Sequence, residues 1–244
     1  MRRETPSMAL LLVGAWIIRL SVSDDYKLYV KDSFGPWLTA AGVLLVGTAL
    51  TGLVMTLRGG SVDHADHSAS TDIDDDEGHE HRSYVGWLLL APLFAFVLIA
   101  PRPLGAYSAQ RAAGPPPPVA STNYDPLPAG DPVPLTMREY TGRALGGSAD
   151  TLQGRTVKLL GFVTPGPGDG FYVTRLAIAC CAADALPIKV LVETETPAPT
   201  EGSWVAVTGT NSKIVEDETG SYEIATIEAQ SVEAAAAPES PYEQ

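Results

Sequence analysis

The chain has little of what most catalytic and nucleic-acid-binding proteins depend on. In 244 residues there are two cysteines and four histidines, and aromatic residues make up 7%. Two cysteines are too few for a disulfide framework, and because they are adjacent, Cys180-Cys181, the C-x-x-C redox spacing is absent as well. The histidines, His64, His67, His79 and His81, all fall in one short stretch, which excludes a histidine general base from the C-terminal half. No Ser-His-Asp set, phosphate-cradling glycine loop or paired-carboxylate signature is present. Basic residues are scarce, 16 Lys and Arg against 29 Asp and Glu for a net charge of −13. Nucleic-acid binding relies on cations meeting phosphates, so no nucleic-acid partner is expected.

Charge is also missing from long stretches of the N-terminal part. Leu38–Leu57 is twenty residues without a charge. As a helix it would reach about 30 Å, the thickness of a bilayer core. Tyr84–Ala100 is seventeen uncharged residues with Tyr84 and Trp87 at one end, where interfacial aromatics belong. Pro92 within it is tolerable if neighbouring helices re-satisfy the freed carbonyl. Met8–Val22 is shorter and carries Arg19 near its end. It is read as a retained span, the alternative being a signal peptide cleaved near Ser21-Val22-Ser23. The expectation is a membrane region over residues 1–112 with two or three spans, near 8–22, 38–57 and 84–100. Arg2, Arg3, Arg58 and Arg82 on one side balance Lys27, Lys31, Arg102 and Arg111 on the other, a tie under the positive-inside rule. The N-terminal pair tips the reading to N-inside, hence to a multi-pass cell-membrane protein with its C-terminal domain extracytoplasmic.

Between the two longer runs, Ser61–Arg82 gathers the four histidines with Asp63, Asp66, Asp72, Asp74, Asp75, Asp76, Glu77 and Glu80. It has no apolar periodicity and reads as disordered. Tracts rich in His bind metals such as zinc through neutral imidazole; the plainer reading is an acidic solvated loop. If Tyr84–Ala100 crosses the bilayer, this loop and the cysteine pair lie on opposite faces and cannot share an ion within one protomer.

Residues 113–134 are proline-rich, with PPPP at Pro115–Pro118, and read as a semi-rigid spacer. Beyond it, a helix is expected over Leu135–Leu145. Five strands follow, over Arg155–Thr164, Phe171–Cys181, Ile188–Glu193, Trp204–Thr210 and Tyr222–Ala229, with turns at Pro165–Gly170, Thr196–Gly202 and Lys213–Gly220. Five short strands suit a small all-β barrel of the oligonucleotide/oligosaccharide-binding (OB) type over 135–232, leaving 233–244 as a tail. That fold often binds nucleic acid, but from Leu135 onward there are seven basic against fifteen acidic residues, a net of −8, and too few aromatics for a base-stacking platform.

The stretch Arg175–Leu186, RLAIACCAADAL, concentrates what soft-ligand chemistry the chain has. Asp184 stands three residues after Cys181, and Arg175 five before Cys180. Cys180, Cys181 and Asp184 are a possible zinc ligand set, with a fourth position left to water, a partner group or the cargo. The plainer alternative is a core strand ending in a turn, the cysteines acting as small buried apolar residues. On a strand the two thiols would point to opposite faces. Asp184 would then cap the turn with Arg175 as its ion-pair partner.

The sequence resembles the YcgQ-like family of two-component permease subunits, membrane proteins of unknown function. The resemblance rests on Tyr29-Val30 before the uncharged span, the His/Asp-rich loop, Pro101-Arg102-Pro103-Leu104-Gly105, and Gly161-Phe162-Val163. It continues through Arg175, Ile178 and Cys180-Cys181 with Ala183-Asp184-Ala185 and Pro187 (a CC-x-ADA motif), then Trp204-Val205, Thr208-Gly209-Thr210 and the closing Pro241-Tyr242-Glu243. It implies a larger multi-span permease as partner and a link to zinc homeostasis.

Three functions compete. The first is a non-enzymatic accessory subunit of a permease handling a metal ion such as zinc: two or three spans are too few for a self-contained pathway, and none carries a central charge. The second is a thiol-redox envelope protein using the vicinal cysteines. The third is an extracytoplasmic solute-binding module. The histidine loop generates its own expectation. A synthetic Asp63–His81 peptide should bind a divalent metal weakly by calorimetry, and heats equal to those of a His→Ala peptide would reduce the loop to a solvated connector.

Overall fold

The computed structural model describes residues 4–58, 103–112, 124–217 and 219–244. The chain divides into two units, Met1–Tyr26 with Ser33–Pro101, and Lys27–Asp32 with Arg102–Gln244. The expected span at Tyr84–Ala100, the histidine loop and residues 113–123 of the spacer lie outside the described residues.

In the first unit, Leu- and Val-rich sequence without interior proline forms two helices, α1 (Glu4–Val22) and α2 (Gly35–Leu57). Among the described residues α2 is the one helix long and apolar enough to cross a membrane, by length and composition; the apolar stretch of α1, Ser7–Val22, is shorter. The two pack through small residues. A Cβ at Gly14 would stand 2.9 Å from the Gly42 carbonyl oxygen, so the backbones approach as only glycine allows. Ser21 Oγ bonds Thr39 Oγ1 at 2.5 Å across the pair. Trp37, Val43, Leu44 and Val54 point outward from α2, as side chains facing lipid would.

The second unit is a closed five-stranded β-barrel with additions. Its strands are β2 (Thr156–Pro165), β3 (Phe171–Ala177), β4 (Leu186–Glu193), β5 (Trp204–Glu216) and β6 (Glu223–Ala234). Pairing runs β2-β5-β6-β4-β3, and β3 returns to β2 through Phe162–Pro165 and Phe171–Thr174. All pairs are antiparallel except β4 with β6. Gly161 lets β2 and β3 close, since a Cβ there would meet the Thr174 carbonyl oxygen at 2.6 Å. Alternating Val157, Leu159, Val163, Val173, Val190, Val205, Val207 and Ile227 fill the interior. Helix α4 (Met137–Leu145) plugs one end, burying Met137, Tyr140 and Ala144; Tyr140 sends its hydroxyl to the Thr226 carbonyl oxygen at 2.8 Å.

Strand β3 is buried on both faces. Its inner face lines the barrel. Its outer face meets a second, smaller core in which Ala106 and Ala109 of the short helix α3 (Ala106–Arg111) join Phe162, Leu176, Ile178 and Tyr242.

Several boundaries differ from expectation. The second strand stops at Ala177, not Cys181, because Ile178 N–H turns to the Glu243 carbonyl oxygen at 3.0 Å. Strand β5 runs on to Glu216 through residues read as a turn. The last part of the expected spacer belongs to the barrel unit: Arg155 Nη2 donates to the Pro128 and Gly130 carbonyl oxygens at 2.8 and 2.9 Å, and Val133–Pro134 forms β1 against β2. The expected tail ends in β7 (Tyr242–Glu243), parallel to β3. Glu243 is buried, and its carboxylate accepts Met137 N–H and Arg138 N–H, both at 2.7 Å, capping α4 while standing 3.9 Å from Arg175 Nε. Removing one partner of a buried ion pair strands the other charge. Glu243→Gln should therefore lower barrel stability by about 3 kcal/mol in denaturant unfolding; a change under about 0.5 kcal/mol would show the carboxylate to be dispensable.

Candidate functional site

The loop leaving β3 is organised by one carboxylate. Asp184 sits at the end of a short 3₁₀ turn, Ala182–Asp184, and folds back over the preceding backbone. Its Oδ1 accepts Ala179 N–H at 2.9 Å, and its Oδ2 accepts Cys180 N–H at 2.8 Å and Cys181 N–H at 3.3 Å. Three consecutive amides converging on one carboxylate require a tight bend, and the bend defeats strand alternation. The thiols consequently do not point to opposite faces: Cys180 Sγ and Cys181 Sγ lie 3.6 Å apart. Ligand atoms of Cys180, Cys181 and Asp184 all fall within 4.8 Å of one another. Both cysteines are free; Cys180 is exposed and Cys181 half-buried.

The electrostatics follow from this geometry. The Cys180 thiol donates to the Asp184 carboxylate and lies beside Cys181, which together with the neighbouring negative charge push it up to about 11. Asp184 is pulled two ways. Partial desolvation raises it, but the thiol and the three amides favour the ionised form and hold the carboxyl below its ordinary value. At neutral pH the corner thus carries an anionic carboxylate next to a protonated Cys180. A metal arriving here would displace the thiol proton. A nucleophilic or redox role has the opposite requirement, a depressed thiol pKa.

Arg175 does not join this corner. It leaves β3 beneath the C-terminal segment, donates Nη2 to the Ser240 carbonyl oxygen at 3.0 Å, lies 5.1 Å over the Trp204 ring and faces Glu243. Its role is to fasten β7; the pairing with Asp184 that the packing-only alternative contained is not made, and Arg175 faces Glu243 instead. His64, His67, His79 and His81 lie outside the described residues. The sequence reading missed Tyr29–Lys31, which pair with the loop. Val30 bridges Cys181, Lys31 N–H donates to the Cys180 carbonyl oxygen at 3.1 Å, and Ala182 N–H donates to the Tyr29 carbonyl oxygen at 2.7 Å. Their signal was the Tyr29-Val30 dipeptide, readable as a motif but not as a contact.

Fold and site together define a class: a closed five-strand barrel, in a chain with an apolar helix of membrane-spanning length, bearing a dithiol–carboxylate corner that is exposed at Cys180 and half-buried at Cys181 and Asp184. Residues 141–243 match the family described as the DUF1980 C-terminal domain, so the match takes in the barrel from within α4 to β7 and includes the corner. Among curated proteins none matches the chain.

The carboxylate's hold on the thiol proton can be measured. Asp184→Asn removes the charge, so the Cys180 pKa should fall and its alkylation rate at pH 8 should rise about tenfold or more, in line with the larger thiolate fraction. An unchanged rate would show that another group holds the proton.

Proposed function

We propose that the chain is a non-enzymatic accessory subunit of a larger multi-span permease, and that its barrel offers an open site for a soft divalent cation, zinc by preference, at Cys180, Cys181 and Asp184. The observation that carries this reading is the placement of both sulfurs and a carboxylate on one exposed loop, with the sulfurs 3.6 Å apart. Two zinc–sulfur bonds of about 2.3 Å at a tetrahedral angle would set the sulfurs ~3.8 Å apart, so the pair is close to ligating geometry without rearrangement. Asp184 already serves three amides, so its contribution is first charge and loop shape and then a ligand oxygen. With three local donors at most, a coordination position stays open, as a site that hands an ion on requires.

The rest of the reading draws on the sequence. The chain is taken as multi-pass with the barrel extracytoplasmic, and the permease partner and zinc link are those its resemblance to the YcgQ-like family implies. The barrel itself is read as OB-type. Counted from β2, its five strands close in the order 1-2-3-5-4-1 with the third and fifth parallel, a Greek-key arrangement of that kind. The acidic balance of the barrel argues against the nucleic-acid ligands of many such domains. A redox role is disfavoured by the raised Cys180 thiol.

The test uses the full chain in mild detergent with His64, His67, His79 and His81 changed to alanine, which isolates the corner from the histidine loop. One zinc per chain should co-purify or titrate in, and affinity should rise by roughly ten- to a hundredfold per pH unit from pH 6 to 8 as one or two thiol protons are displaced. Cys180→Ser with Cys181→Ser should abolish uptake with an unchanged melting temperature. Loss of stability with unchanged uptake would mark the corner as packing only. Isolation from its native membrane as a lone monomer would count against the permease partner.

A further inference from the structure

The thiol loop is assembled from two distant parts of the chain. The backbone bracketing Cys181, from the Cys180 carbonyl to the Ala182 amide, is held by Tyr29–Lys31 through the two hydrogen bonds and the bridge at Val30. That segment is fastened at both ends as well. The Tyr242 hydroxyl donates to the Leu28 carbonyl oxygen at 3.1 Å, and Asp32 N–H donates to Gln244 Oε1 at 3.3 Å. Ser33 and Phe34 alone separate Asp32 from Gly35, the first residue of α2.

The grip is of a particular kind. Tyr29, Val30 and Lys31 are all half-buried, and no side chain of the three belongs to either apolar core. Two backbone hydrogen bonds, each worth about 1 kcal/mol net, join them to the loop. Contacts of that strength open locally far more readily than a packed strand. They also fix the dihedral angles that a metal on both thiols would need fixed, those between Cys180 and Cys181. Two events that order the same dihedrals each lower the entropic cost of the other, and the resulting coupling is reciprocal.

We propose that residues 29–31 are a positioning strap for the metal site, and that loading of Cys180 and Cys181 with metal and engagement of the strap are thermodynamically linked, so that a loaded site holds the chain taut at its entry to α2. The inference rests on the reading of the corner as a metal site. It adds that occupancy is communicated along the backbone to a membrane helix, which gives an accessory subunit a means of reporting cargo.

Hydrogen exchange on the full chain in detergent, again with the four loop histidines changed to alanine, tests it without disturbing the strap. Saturating zinc should slow exchange in a peptide covering residues 28–32, which contains none of the proposed ligands, by tenfold or more. Lys31→Pro, which removes the donor to Cys180, should weaken zinc binding by a similar factor while barrel unfolding is unchanged. The exchange measurement stands if that variant misfolds. Zinc binding with no change of exchange in residues 28–32 overturns the linkage and leaves the metal site intact. Failure of the unsubstituted corner to bind zinc overturns the metal-site reading, and the linkage with it.

Discussion

Everything specific about the candidate site depends on the Asp184 carboxylate accepting the amides of Ala179, Cys180 and Cys181. Three amide hydrogens aimed at one anion form a small positive concavity, and the anion that fills it comes from the same loop. The consequences are geometric and electrostatic at once. Geometrically, the chain leaves β3 by bending sharply, which brings two adjacent side chains to the same side. Electrostatically, a fixed negative charge beside the sulfurs keeps the Cys180 proton in place and favours a cation that could replace it. A thiolate nucleophile is generally made by surrounding sulfur with positive charge. The surroundings here have the opposite sign.

The loop can take this shape because its exits are secured elsewhere. Ile178, immediately before it, is buried and hydrogen-bonded to Glu243, and Ala182 and Ala185 rest on the smaller core beneath α3. Tyr242 joins that core and also receives Leu104 N–H on its hydroxyl at 3.0 Å. Glu243, one residue on, caps α4 and faces Arg175. The last residues of the sequence are therefore structural: they tie together the plug of the barrel, the strand that leads to the cysteines and the segment at Leu104 that leads into α3.

The contrast between what the sequence revealed and what it hid has a physical basis. Helices α1, α2 and α4 and the five barrel strands were legible because burial imposes a period on the residues themselves: uninterrupted apolar sequence in α2, alternation in β2 and β5; the short α3 was not. The cysteine corner was legible as chemistry, since two thiols and a carboxylate within five residues are uncommon. Its geometry was not legible, because the alternation rule applies only while the strand continues, and nothing local announces that Ile178 will turn to a partner at Glu243. The acid that Arg175 faces, Glu243, was hidden for the same reason. Asp184 was near in sequence, Glu243 near in space. The strap at Tyr29–Lys31 is a pure case of long-range backbone pairing, in which amide and carbonyl groups carry no residue identity and leave no compositional trace.

If the corner is a metal site as proposed, the balance of forces there favours one kind of metal handling over another. A storage or structural zinc site is closed by four protein ligands, commonly thiolates and imidazoles, and contributes to folding outright. This corner is shaped by an internal carboxylate that accepts three backbone amides. An incoming ion must displace the Cys180 proton, held up to about 11, and must share Asp184 with three amides. Both requirements weaken binding relative to a dedicated site. Neither prevents rapid ligand exchange, because Cys180 is exposed and a coordination position stays free. On the proposed reading of the corner as a metal site, weakened binding and an open position suit a relay that accepts an ion from one carrier and yields it to another. On that reading, a backbone strap running into α2 would let the occupancy be sensed where the chain enters this apolar helix.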